Sequence, residues 1–417
     1  MAVTAAVQKL LHGENDQMKK PELLAPAGDL SRAKTAVRYG ADAVYIGGRR
    51  FSLRSRASNF TLDDIREACA YAKDFGANIH VTVNMIPHDE DLEGLQEYLR
   101  DLEKAGVKAI IAASPAVMAV CRECAPSLEI HCSTQMSVTN TEAVRFLKKN
   151  MKIDRVVLAR ECTMDQIRRI TAECGIETEA FIHGGMCVNY SGRCTLSNRM
   201  TLRDANRGGC AQSCRWQYSL YAGEDKVSDM LFTMGSKDLC ACASLYDMME
   251  AGVSSLKIEG RMKTEFYIAS VVSTYRRMID EVAETGTRPS GERLTYYMHE
   301  FARTMNRQSW GGFVQEKADA SSLIWHNMSN ADVNHDFLAK VVKYQPETGT
   351  AWIESRNYFE AGEEAEVLTP GRENRSFAMT FIRNEKGEYQ DVSRHPMALL
   401  EVPVPFEVGA EDLIRRK

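Results

Sequence analysis

At 417 residues the chain exceeds one ordinary domain, and its 44% hydrophobic and 26% charged residues are the balance of a water-soluble globular fold. No run of about 18 apolar residues occurs, which excludes a helical membrane span, and Glu14 and Asp16 break the first apolar stretch short of a signal peptide. Twelve cysteines in so long a chain do not make a disulfide scaffold, and a net charge of −5 gives no overall pull on nucleic acid; the expected setting is the reducing cytoplasm, with thiols free or bound to metal.

Residues 1–20 read as an N-terminal extension. From residue 21 one pattern recurs: a short β-branched run, then an amphipathic helix that closes on glycine before the next run, as in AVRYGADAVYIGG, LEKAGVKAIIAAS and MMEAGVSSLKIEGR. Glycine fits the left-handed cap at the helix end, and the apolar run after it fits a strand buried on both faces. Eight such runs fall at 21–28, 42–48, 78–84, 109–114, 129–135, 155–160, 177–185 and 254–261. Helical stretches such as 62–75 and 92–105 lie between them. Strand and helix alternating eight times predict an α/β chain folded as a (β/α)8 TIM-like barrel over 21–290; an open doubly wound sheet is the alternative.

The seventh unit is too long. Residues 185–253 form an insertion after strand 7, and loops of that length inside a domain are usually functional. A helical or irregular connector follows at 291–334. From 335 to 417, short alternating strands separated by turns such as ETG, TPG and NEKG predict a small C-terminal all-β domain, a partial barrel.

The insertion carries Cys187, Cys194, Cys210 and Cys214 in the spacing C-x6-C-x15-C-x3-C. Four thiolates in a loop rich in Gly, Ser and Asn suit either tetrahedral zinc or a 4Fe–4S cluster. Structural zinc usually takes two close pairs, and only the second pair here is close, so the irregular spacing favours a cluster. Unligated thiols are the remaining alternative. Arg193, Arg207 and Arg215 flank the sulfurs and would offset cluster charge. Cys240, in SKDLCAC, could substitute for one ligand. Cys121 and Cys124 sit at a helix end and read as ordinary thiols.

In such a barrel the site forms at the C-terminal ends of the strands. The residues expected there are Asn84, Gln135, Arg160, His183, Lys257, Glu259 and Arg261. Arg160, Lys257 and Arg261 would make a cationic mouth for a carboxylate or dianion. His183 would face that mouth as a general acid/base or a donor near the metal. RNA contact would rest on local basic groups, Arg49, Arg50, Arg54 and Arg56 or Arg199, Arg203 and Arg207. Peptidase motifs are missing: His299-Glu300 lacks the second histidine of H-E-x-x-H, and no G-x-S-x-G occurs.

The stretches LLAPAGDL, GADAVYIG, CVNYSGRCTLS, RDANRGGCAQSCRW, SKDLC and LKIEGRMK resemble the signature segments of the collagenase-like peptidase family, the U32 type, over about residues 21–405. The resemblance implies an iron–sulfur enzyme with its cluster on Cys187, Cys194, Cys210 and Cys214, some relatives using a cysteine near Cys240 instead of the C-x3-C partner. In size and spelling the chain is similar to the branch that makes 5-hydroxyuridine at the tRNA wobble position without O2 and depends on prephenate, a small dicarboxylate. Asn84 and Gln135 would then help bind that co-substrate. Another branch hydroxylates a cytidine of 23S rRNA, and the family name records an assignment to collagen cleavage.

Overall fold

The computed structural model describes residues 18–53, 59–304, 307–326 and 335–417. Arg54 and Arg56 of the expected basic patch, most of the N-terminal extension and the end of the connector lie outside the described residues.

Eight parallel strands close on themselves: β1 (Glu22–Pro26), β2 (Ala43–Gly47), β3 (Asn78–Val83), β4 (Ala109–Ala112), β5 (Glu129–Cys132), β6 (Arg155–Val157), β7 (Glu177–Gly184) and β8 (Ser255–Ile258). Closure is direct, because β8 pairs with both β7 and β1. The expected barrel is therefore the fold, and the open sheet is excluded. Each strand is followed by a helix: α1 (Leu30–Arg38), α2 (Leu62–Asp74), α3 (Leu95–Lys104), α4 (Pro115–Cys124), α5 (Thr141–Met151), α6 (Met164–Cys174), α7 (Leu245–Glu250) and α8 (Glu265–Thr285). Local chemistry sets these limits. Thr61 and Asp64 form a reciprocal capping box that starts α2, and Gly175 and Gly286 take the left-handed cap that ends α6 and α8.

Outward-facing strand residues such as Leu23, Val44, Ile79 and Val81 join the helices in one large core. Leu24, Ala43, Tyr45 and Ile111 form a separate small cluster inside the barrel. Below it the interior is charged: Arg155 meets Glu22, Glu177 and Glu179, and Lys257 reaches Glu179 at 2.6 Å. Charges so deep are tolerated only when paired.

A further helix, α9 (Gly291–Ala302), packs on α8, and the connector then doubles back over the insertion. Within the insertion a short strand, Asp238–Cys240, runs antiparallel to the end of β7, and Ser309–Trp310 of the connector runs parallel to that strand. A second stitch pairs Gly235–Ser236 with Leu323–Ile324.

The C-terminal part is an antiparallel partial barrel of eight strands: β9 (Phe337–Gln345), β10 (Thr350–Ser355), β11 (Glu364–Leu368), β12 (Arg375–Ala378), β13 (Ile382–Asn384), β14 (Tyr389–Gln390), β15 (Leu399–Pro403) and β16 (Leu413–Arg416). Their spatial order is β12-β11-β16-β9-β10-β15-β13-β14, around a core of their own. It docks on the barrel through polar and apolar contacts together. The Tyr39 hydroxyl donates to the Leu368 carbonyl at 2.9 Å, Phe266 stacks on Phe337 at 5.2 Å, and the guanidinium of Arg415 reaches Glu300 at 2.9 Å.

Candidate functional site

The four-cysteine loop starts where β7 runs out. Gly184 has φ +101°, and a Cβ there would fall 2.2 Å from the Glu259 carbonyl oxygen, so only glycine lets the chain leave past β8. The loop is then fastened across the barrel mouth. At Gly192, φ +74°, a Cβ would fall 2.0 Å from the Gln135 carbonyl oxygen. Nearby the Ser191 amide donates to Glu161 at 2.9 Å. Gln135 thus meets the loop through its backbone.

All twelve cysteines are free thiols. Cys187 and Cys210 reach solvent, and Cys194 and Cys214 are partly covered. The thiol of Cys214 is pushed up by burial and further by Cys187, Cys210 and Cys194; that of Cys187 is pushed up by burial and by Cys194 and Cys210. Cys187 and Cys214 therefore each lie within electrostatic reach of the other three sulfurs. Arg160 opposes the rise at Cys187 and Arg215 the rise at Cys214. Asn189 donates from Nδ2 to the Cys194 sulfur at 3.3 Å. Among the described residues, no three His, Cys, Asp or Glu side chains converge closely enough to hold one metal ion. Cys240 is turned to another partner: its sulfur lies 3.7 Å from that of Cys242.

The mouth differs from the sequence expectation in three places. His183 does not face it. β7 carries one extra residue against β8, Lys257 pairing with Phe181 and Ile258 with His183, and this bulge slips the two-residue alternation. Phe181 and Glu179 stay inside, while His183 turns out among Tyr275, Tyr267 and Phe301, with Nδ1 at 3.2 Å from the Tyr275 hydroxyl. Burial, helped by the charge of Lys263, lowers its imidazole to about 3, so it is neutral at ordinary pH. Lys257 is also withdrawn: it is 4% exposed, bound to Glu179, and lies 4.5 Å from the Tyr45 ring centroid. Arg261, 5% exposed, ties Ser52 at 3.2 Å to Asn59 at 2.8 Å, and it fits only because Gly47 has no Cβ.

Arg160 remains at the mouth. Its guanidinium carbon sits 3.8 Å from the Phe181 ring centroid, and its Nε is buried without a hydrogen-bond partner. Asn84 accepts from the Leu53 amide at 3.2 Å, and Glu259 Oε2 accepts from the Gly185 amide at 3.3 Å.

Sequence reasoning missed Arg307, Asp238 and Lys263. Arg307 reaches Asp238 at 2.7 Å, and Lys263 lies 4.0 Å from the same carboxylate. Asp238 and Lys263 stand in the quoted stretches SKDLC and LKIEGRMK, which was the available signal; Arg307 lies in the connector, where no pattern marked it. Of the basic groups, Arg207 is engaged with Asp91 at 2.6 Å, whereas Arg199 and Arg203 are exposed. Between them Leu202 is 94% exposed at φ +56°, an apolar tip in a conformation that leucine adopts at a cost. Tyr190 and Trp216 are also exposed on this insertion.

Known proteins match along the whole length. A family model described as Peptidase family U32 matches residues 28–323, and one described as its C-terminal domain matches 333–415. The chain is 41% identical over 422 residues to tRNA hydroxylation protein P1 of Bacillus subtilis, covering 100% of this chain and 99% of that one. It is 39% identical over 301 residues to a 23S rRNA 5-hydroxycytidine synthase of Escherichia coli, covering 71% of this chain and 45% of the relative. A collagenase of Porphyromonas gingivalis is 33% identical over 353 residues, 80% of this chain and 82% of that one.

Proposed function

The chain belongs to peptidase family U32, and from that premise we propose that it is an RNA hydroxylase carrying a 4Fe–4S cluster on Cys187, Cys194, Cys210 and Cys214. The observation that carries the reading is the end-to-end likeness to a protein named for tRNA hydroxylation. The proposed substrate is the wobble uridine of tRNA, hydroxylated to 5-hydroxyuridine without O2, with prephenate as co-substrate. A 23S rRNA cytidine is the second candidate, favoured by the relative named for that reaction. Peptide cleavage is favoured by the names of relatives, a collagenase and a protease among them, but neither expected hydrolase motif occurs in the sequence.

The donor set fits a cluster. Tetrahedral zinc would draw four sulfurs within about 4 Å of one another, given Zn–S bonds of about 2.3 Å. Here the thiols influence one another as charges, yet among the described residues no three donors converge on one ion. A four-iron cluster takes one thiolate at each iron and so spreads them. When bound, it supplies an iron centre for redox or Lewis-acid chemistry at the barrel mouth. The chain's own residues prepare that place: Asn189 donates to one sulfur, and Arg160 and Arg215 favour the thiolate form of Cys187 and Cys214. Arg160, with its unpartnered Nε above Phe181, is positioned to meet a carboxylate of the dianion. The exposed Arg199, Leu202, Arg203 and Trp216 offer phosphate contacts and apolar faces suited to an unpaired RNA loop.

Nucleoside mass spectrometry of tRNA and rRNA from a deletion strain tests the reading. Loss of 5-hydroxyuridine derivatives is expected; loss of 5-hydroxycytidine alone selects the second candidate, and neither loss removes both. Anaerobically purified protein should show broad absorbance near about 400 nm and about four irons per chain. Stoichiometric zinc would overturn the cluster.

A further inference from the structure

We infer that Leu202 is a wedge that enters the RNA between two stacked bases and frees the target base to turn toward the barrel mouth; the inference rests on the proposed RNA substrate. Chemistry on a stacked base requires its extrusion, and proteins that part stacked bases do so with an apolar side chain flanked by cations. Leu202 is 94% exposed at φ +56°, where the short helix Leu196–Thr201 ends. Each property has a cost. Left-handed backbone disfavours leucine, glycine or asparagine being the ordinary cap there, and an apolar side chain in water contributes nothing to the core. Among the described residues Met397 is the other exposed apolar residue at positive φ, yet its sulfur accepts from Arg356 Nη1 at 3.3 Å. A side chain as exposed as that of Leu202 has no comparable return within the chain, and strain of this kind gathers at working sites.

The tip has a firm backing. Arg207 binds Asp91 at 2.6 Å, the Ile86 amide donates to the Asn206 carbonyl at 2.9 Å, and Asn206 Nδ2 donates to the Cys194 carbonyl at 3.1 Å. The loop behind Leu202 is thus tied both to the segment that follows β3 and to the cysteine loop, and Leu202 itself stands midway in the chain between Cys194 and Cys210. A wedge needs such support, since a loose side chain yields to the stack instead of parting it. Charge selects the partner. Residues 186–215 hold five arginines and one aspartate in a chain of net charge −5, and Arg199 and Arg203, on either side of the tip, are exposed. That stretch draws a polyanion rather than a neutral or acidic protein face.

Two probes test the wedge on the anaerobic holoenzyme: an anticodon stem-loop RNA with 2-aminopurine beside the wobble position, and a 23S rRNA stem-loop with it beside the target cytidine. The fluorescence of 2-aminopurine rises when it unstacks. Saturating wild type should brighten one of the two; Leu202→Asn should lose most of that rise, and Leu202→Met should keep it. Hydroxylation by Leu202→Asn should fall at least about tenfold in kcat, with KM changed less. It should recover on a stem-loop whose neighbouring base is replaced by an abasic site, where no stack remains to be parted. The melting midpoint and the absorbance near about 400 nm should hold in Leu202→Asn, because asparagine suits the left-handed cap. No rise with RNA bound to the wild type, or an equal rise in Leu202→Asn, overturns the wedge and leaves the RNA reading standing. So does a kcat loss that the abasic site fails to relieve. A lower melting midpoint or lost absorbance in Leu202→Asn overturns the wedge too, since leucine then serves the fold. Wild type that binds neither stem-loop overturns the RNA reading and the wedge together, and leaves the tip to a protein partner.

Discussion

Three histidines show how far burial can remove a titrating group from its ordinary range. His80 is held well below it by burial and by the neighbouring charge of His131, and His131 and His183 are each lowered to about 3, burial being the first cause. A group whose folded-state pKa is depressed contributes stability above its unfolded value and loses it as pH falls. For these imidazoles the loss begins near the unfolded value of about 6.5 and continues down to about 3, at up to about 1.4 kcal/mol per pH unit for each group. Guanidinium melts at pH 7, 6 and 5 should show falling midpoints, and His131→Gln should make that fall shallower. A parallel slope in the variant would count against the neutral buried imidazole. At this scale the sequence reveals charge and periodicity but not partners. Lys257 and Arg261 were legible as cations at strand ends, while Glu179, Ser52 and Asn59, which occupy them, were not. His183 was misplaced because one bulge residue in β7 shifts it to the other face, and no sequence signal marks that residue.

Among elements, the insertion was the most legible in content and the least legible in shape. Its four cysteines were marked by spacing alone. The stitches that hold it, Asp238–Cys240 with Ser309–Trp310 and Gly235–Ser236 with Leu323–Ile324, are two or three residues long and carry no hydrophobic period. The pairing of Cys240 with Cys242 was equally hidden, because the choice between Cys214 and Cys240 as fourth ligand depends on direction rather than spacing. The expected outcome is that Cys240→Ala retains about four irons per chain and Cys214→Ala loses at least about half of them. Iron assay with absorbance under anaerobic conditions checks both, and the opposite order would make Cys240 the ligand.

For the molecule as a whole, the eight repeated units made the barrel readable, since most strands ran as largely apolar stretches and most helices closed on glycine, the exceptions ending at Ala125 and at Lys152. The docking of the two sheets was not readable, because it rests on side chains far apart in sequence. Arg415, 1% exposed, is clasped by Glu300 and Glu366 at the junction. Arg415→Ala would leave Glu300 without its cation and Glu366, among the described residues, with only Arg303 at 3.8 Å, and breaking such a buried pair typically costs about 3–5 kcal/mol. Chemical denaturation should register a loss of that order; a change below about 1 kcal/mol would mean that water replaces the guanidinium. A net charge of −5 also means that RNA affinity must come from local groups. Arg199→Ala and Arg203→Ala should each reduce the slope of log affinity against log salt by about 0.7 to 1, and an unchanged slope would remove them from the phosphate path.

The doubling back of the connector also dictates where the chain can be shortened. A version ending at Thr304 would lose Arg307 and both partner strands, Ser309–Trp310 and Leu323–Ile324, that brace the insertion. One ending at His326 keeps every one of them while omitting the terminal sheet. The scaffold of the mouth is completed by residues that lie well downstream of the last barrel helix, so the working unit ends later than the barrel does.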